Sequence, residues 1–138
     1  GPRRRARVRG ADLAVELREH EHGDTVRAVN NYAHSLLKLR RFEEAKALLR
    51  KTMPVARRVL GENNETTLRM RTIYAAALHR DDAATLDDLR EAVTTLEDTE
   101  RTARRVLGGA HPDTGWIERA LQNARAMLRA RETPPGSA

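Results

Sequence analysis

An all-α array of stacked helix pairs is the fold class this sequence predicts, and three observations predict it. Long stretches of the chain can be laid over one another in register. Within each stretch, apolar residues recur at three- and four-residue steps, the spacing that gathers them on one helix face. Ala, Leu and Arg dominate the composition, and only four of the 138 residues are aromatic (Tyr32, Phe42, Tyr74 and Trp116), a bias that favours helix over sheet.

The first helices of the units align at a spacing of 42: Thr25 falls on Thr67, Tyr32 on Tyr74, Ala33 on Ala75 and Leu36 on Leu78. A third copy begins at His111-Pro112-Asp113-Thr114, with Leu121 where the two tyrosines stand. The second helices align at a spacing of 47: Phe42, Ala45, Leu49 and Thr52 fall on Leu89, Ala92, Leu96 and Thr99, and Arg57-Arg58-Val59-Leu60-Gly61 recurs as Arg104-Arg105-Val106-Leu107-Gly108. The change from 42 to 47 places five extra residues within 79–88, as an inter-helix loop or a short helical extension. The acidic pairs Asp81-Asp82 and Asp87-Asp88 read as a solvated loop there. Periods of 20–50 residues signal a solenoid, in which each unit buries its apolar face only against its neighbours.

Local signals agree with the repeat. Val26, Val29, Tyr32, Ala33 and Leu36 share one face of the first helix. Asp24-Thr25, Glu65-Thr66 and Asp113-Thr114 offer N-caps and negative charge where the first helices start. Ala33, Ala45, Ala75 and Ala92 are small where paired helices approach, and Gly61 and Gly108 stand where a left-handed C-cap is wanted. Pro54 is discordant, since a proline inside a helix removes one hydrogen bond and costs about 3 kcal/mol unless the helix bends. The register runs through it, which predicts a kink and not a break. The array divides into a basic tail at 1–10, an array at 11–132 and a tail at 133–138. Helix pairs are expected at about 24–60 and about 66–107, with a terminal helix at about 113–131.

The net charge of +6 is local: Arg3, Arg4, Arg5, Arg7 and Arg9 stand in the first ten residues, leaving 21 basic against 20 acidic residues beyond them. Such a tail fits a nucleic acid, an acidic surface, a targeting receptor or a plain solvated arm, and Gly1-Pro2 fits a protease-cleavage scar. The near-neutral body argues against nucleic-acid binding. With no cysteine there is no thiol catalysis, thiolate metal site or disulfide. No apolar run approaches the ~20 residues of a membrane span, and no signal-peptide pattern opens the chain, which favours an intracellular setting. Nucleophile–base sets, phosphate-binding glycine loops and paired carboxylates are lacking, so no catalytic residue, cofactor or metal is expected. His20-x-His22 reads as part of a cap loop, since His22 and His111 share a repeat position, and not as a metal pair. Asn64-Glu65-Thr66 matches a glycosylation sequon by chance.

The repeated Arg-Val-Leu-Gly at 58–61 and 105–108, the following His111-Pro112-Asp113-Thr114, and Asn31-Tyr32-Ala33-His34-Ser35-Leu36 resemble the tetratricopeptide repeats of kinesin light chains. The likeness covers about residues 15–130, with a period longer than the usual 34 of such units. It implies a short right-handed α-solenoid with a C-terminal capping helix, and a protein-binding adaptor or scaffold in place of an enzyme. The groove asparagine of that family is matched by Asn31 but replaced by Ile73 and Ala120 in the later copies. The third copy has no second helix, because the chain runs into Thr133-Pro134-Pro135-Gly136. Ala11–His20 resembles the tail of a second helix whose first is missing, which suggests a fragment of a longer protein or a docked subunit.

In such arrays the first helices line a concave groove. Carried over by register, that face is Arg27, Asn30, Asn31, His34 and Lys38, then Arg69, Thr72, Ile73, Ala76 and Arg80, then Trp116, Arg119, Ala120 and Asn123. This set is basic and amide-rich without Asp or Glu, and implies an extended, acidic peptide or protein surface as partner, with Asn holding its backbone and Arg its charges. Trp116 is either a binding anchor or core packing of the last helix. The alternative is a structural subunit docked in a larger assembly, or self-association through apolar faces at the array ends.

Overall fold

Five segments fold as five helices in the computed structural model, which describes residues 23–133. They are α1 (Gly23–Lys38), α2 (Phe42–Leu60), α3 (Glu65–Arg80), α4 (Leu86–Val106) and α5 (Pro112–Glu132). The arginine tail, Ala11–His20, the His20/His22 pair and residues 134–138 lie outside the described residues. Each helix packs on the next, and α3 also packs on both α1 and α5. The chain therefore forms two layers, α1–α3–α5 and α2/α4. Contacts run along the first layer and do not directly join α2 to α4, so the stack curves with α1, α3 and α5 on the inside.

Side-chain size explains that curvature. α3 is buried nearly all round, from Thr66 to His79 with Arg69 half-buried, because it is packed by four other helices. Ala75, Ala76 and Ala77 are fully buried on it and Ala33 on α1, so the backbones of the inner layer come close. Bulkier side chains fill the space between the layers: Leu36, Leu49, Leu68, Leu78, Leu89, Leu96 and Ile117 are all essentially inaccessible. A polar chain ties three helices, as Arg50 Nε on α2 donates to Tyr74 Oη on α3 (3.4 Å), which donates to Glu91 on α4 (3.0 Å).

The five extra residues resolve into two parts. The loop before α4 (81–85) is two residues longer than the loop before α2 (39–41), and α4 begins three residues ahead of Leu89, the partner of Phe42. Asp87 and Asp88 are thus the first turn of a helix and not loop. Thr85 accepts from Asp88 N–H at 3.0 Å while the Asp88 carboxylate accepts from Thr85 N–H at 3.0 Å, a reciprocal cap. The bond from Thr85 N–H holds the Asp88 carboxyl below its ordinary range.

The other caps also differ from the expectation. α3 is capped by Asn64, whose side chain accepts from Thr66 N–H (2.8 Å), and α5 by His111, whose Nδ1 accepts from Asp113 N–H (3.0 Å). Glu65 and Asp113 sit in the first turn, where a carboxylate meets the positive end of the helix dipole. Gly61 and Gly108 do take positive φ (94° and 90°). Gly61 has ψ 159°, however, which is the mirror of extended backbone that only glycine enters easily, and not the left-handed helical region. That region is taken by Arg40 (φ 60°). Arg40 N–H bonds Leu37 O and Arg41 N–H bonds Leu36 O, the Schellman pattern that closes α1. α2 runs unbroken through the exposed Pro54.

α5 ends the described array with a polar outer side. Gln122, Asn123, Arg125 and Arg129 are exposed, and the large exposed apolar side chains, Leu39 and Val106, stand elsewhere. Among the described residues, this end carries no large exposed apolar side chain.

Candidate binding groove

The inner face of α1, α3 and α5 carries two adjoining cavities of about 400 and about 380 Å3 that share Asn30, Asn31 and Arg69. The first is completed by Arg27 of α1 and by Asn64, Glu65 and Thr66 at the start of α3. The second is completed by His34, Ile73, Asp113 and Trp116. His34 and Trp116 come from helices two units apart, yet their rings lie 5.8 Å from centre to centre. They meet because the stack is curved and because Ile73 beneath them is sunk to 1% exposure.

Of the groove positions expected from the repeat, the cavities bring together Arg27, Asn30, Asn31, His34, Arg69, Ile73 and Trp116. They leave out the rest. Thr72 is fully buried, and its hydroxyl donates to Leu68 O at 2.9 Å within its own helix. Ala76 and Ala120 are buried packing residues. Lys38, Arg80, Arg119 and Asn123 are exposed but lie outside both cavities, beyond their lining residues. Trp116 packs against the core and also lines the second cavity.

The expectation of a basic groove without acids fails on Glu65 and Asp113. Arg69 donates from Nε to Asp113 Oδ2 at 2.8 Å and from Nη2 to Glu65 Oε1, so its charge is compensated twice. Arg27 is paired with Asp24 at 3.3 Å. The Glu65–Arg69 pair was readable, being four apart on one helix. The Arg69–Asp113 pair was not, because 44 residues separate them and only the stacking of the next unit joins them. The sequence presents Glu65, Thr66 and Asp113 as helix starts; the curvature aims these starts, with Asn64, at the groove.

His34 is half-buried. Burial, then the cations of Lys38, Arg80 and Arg69, hold its imidazole below the ordinary value, so it is neutral at pH 7. Ligand atoms of Glu65, His111 and Asp113 also lie within 4.8 Å of one another, the raw material of a divalent-cation site. Two facts oppose that use. The Arg69 guanidinium already lies against both carboxylates. The His111 Nδ1 lone pair caps α5, which puts the ring proton on Nε2 and leaves no second lone pair for a metal. The trio is a cap-and-ion-pair network.

Known proteins bear on this geometry at one place. Residues 25–65 match a tetratricopeptide repeat. The match takes in α1, α2 and the first turn of α3. No curated protein and no solved structure matches the chain. With helices alone among them and neighbouring units in register with the matched one, the described residues form an all-α solenoid of tetratricopeptide-like helix pairs. Such repeats generally mediate protein–protein contact. No helix of the described residues is long and apolar enough to cross a membrane.

Proposed function

We propose that the chain is a protein-interaction module that holds an extended segment of a partner protein along the α1–α3–α5 face. The observation that carries this is the pair of adjoining cavities, lined by amides, two guanidiniums, two carboxylates and an Ile–His–Trp wall, on the concave side of the stack. Clefts of this size with a few convergent polar groups are the usual form of a binding site. The repeated Arg-Val-Leu-Gly helix ends support a likeness to kinesin light chain arrays, and with it an adaptor or scaffold role. Attraction for acidic residues falls to the exposed Lys38 and Arg80, where salt screens it; the cavities themselves are compensated.

Photo-crosslinking tests the assignment. A benzophenone amino acid placed at Asn31, exposed on the groove, should capture partners from the source extract. The same group at Ala47 or Thr94, exposed on α2 and α4, should not. Capture confined to Ala47 and Thr94 would replace this reading with that of a subunit docked by its outer face.

A further inference from the structure

α5 has a face that no described helix covers. Arg119, Gln122, Asn123, Ala126, Arg129 and Ala130 recur on it at three- and four-residue steps, and all six are exposed. The side turned to α3 and α4 is the opposite one, with Ile117, Ala120, Leu121 and Ala124 buried. One unit earlier, on α3, the positions of Arg119, Gln122, Asn123 and Ala126 are held by Thr72, Ala75, Ala76 and His79, each no more than 2% exposed. Neighbouring helices close that face in the earlier unit and leave it open on α5. Arg119 and Asn123, which the repeat register assigns to the groove, therefore belong to a separate surface outside both cavities.

Charge on this face is uncompensated, unlike that of the groove. The three acids of α5 are all engaged by arginines of other helices: Asp113 with Arg69, Glu118 with Arg104 and Glu132 with Arg90. Arg125, at the edge of the face, is matched by Glu97 of α4. The side chains of Arg119, Gln122, Asn123 and Arg129 make no hydrogen bond or ion pair among the described residues. The two guanidiniums are rooted about 15 Å apart along the axis, at 1.5 Å of rise per residue, with both amides and Ala126 between them. Small residues let a second helix approach closely, as the fully buried Ala75, Ala76 and Ala77 do within the stack. A second copy of this face would bring four arginines together with no acid among them, and no large apolar side chain is there to offset the repulsion. A helix that carries carboxylates meets neither objection.

We propose that this face is a second interaction surface and that its occupant is an acidic helix of another protein. Carboxylates of that helix pair with Arg119 and Arg129, a small side chain lies on Ala126, and Gln122 and Asn123 bond its polar groups. The test titrates two synthetic alanine-rich helical peptides into the full chain, followed by fluorescence anisotropy. One peptide carries glutamates about ten residues apart, to match the arginines, and the other carries lysines at the same positions. The glutamate peptide should bind and the lysine peptide should not, with affinity falling about tenfold from low to high salt. Arg119→Glu combined with Arg129→Glu should reverse that preference while helicity is retained, because neither arginine is bonded in the free protein. Capture of partners by a crosslinker at Asn31 should be untouched by the double substitution; loss of that capture overturns the separation of this face from the groove. No binding of the glutamate peptide, or binding that survives the double substitution, overturns the assignment. A random-sequence DNA oligonucleotide that binds more tightly through the same arginines overturns the partner class. Self-association of the chain in sedimentation, abolished by Ala126→Arg, replaces the partner helix with a second copy.

Discussion

His79 should make this protein lose stability between neutral and mildly acidic pH. The residue is 2% exposed near the end of α3, at the position that Leu37 holds one unit earlier, and neither ring nitrogen has a hydrogen-bond partner among the described residues. Burial, helped by the neighbouring Arg80, lowers its pKa from 6.5 to about 4. A lowered pKa means the unfolded chain binds the proton first. The neutral side chain is fully tolerated above about pH 6.5, stability falls as pH drops from there, and the loss levels off near pH 4. A gap from 6.5 to about 4, at 1.36 kcal/mol per unit, sets the full loss at about 3 kcal/mol. For a domain of this size that lowers the melting temperature by roughly 10 °C. Urea unfolding followed by circular dichroism at several pH values measures the slope. His34, also held below its ordinary value, contributes with the same sign, so the comparison is with His79→Leu, in which the His79 part disappears. That variant should also be more stable at neutral pH by about 1–2 kcal/mol, because two unpaired polar atoms leave the core. Equal slopes in the two proteins would refute the reasoning, as would a loss centred above pH 6.5.

Three further outcomes follow from the backbone. Arg40→Gly should raise the urea midpoint by an amount worth about 1 kcal/mol, since a non-glycine side chain at φ 60° is strained and its pairing with Asp82 is exposed. Gly61→Ala should cost about 1–2 kcal/mol in the same assay, although a Cβ there would touch nothing within 4 Å; the cost comes from φ 94° alone. Thr85→Ala should cost about 1 kcal/mol through loss of the reciprocal cap, and hydrogen exchange should locate the loosening at the first turn of α4.

The two helix layers were legible in the residues because their cause is local and repeated. A face such as Val26–Val29–Ala33–Leu36 is amphipathic whatever surrounds it, and the 42- and 47-residue offsets require like units to stack alike. Even the five extra residues were countable, though not their division between the loop and the reciprocal cap of α4. The groove was legible only as a list of positions. Sequence placed Arg27, Asn31, His34, Arg69 and Trp116 on one face, but charge at a surface depends on what the next unit brings up. Asp113 reaches Arg69 across 44 residues, and His34 reaches Trp116 across two units, through the curvature that the α3 alanines permit. Periodicity thus determined the architecture, whereas packing between units decided which groove groups are neutralised. The physical reason is range: helix faces are set by residues three or four apart, and ion pairing and burial by whatever the fold carries within a few ångströms.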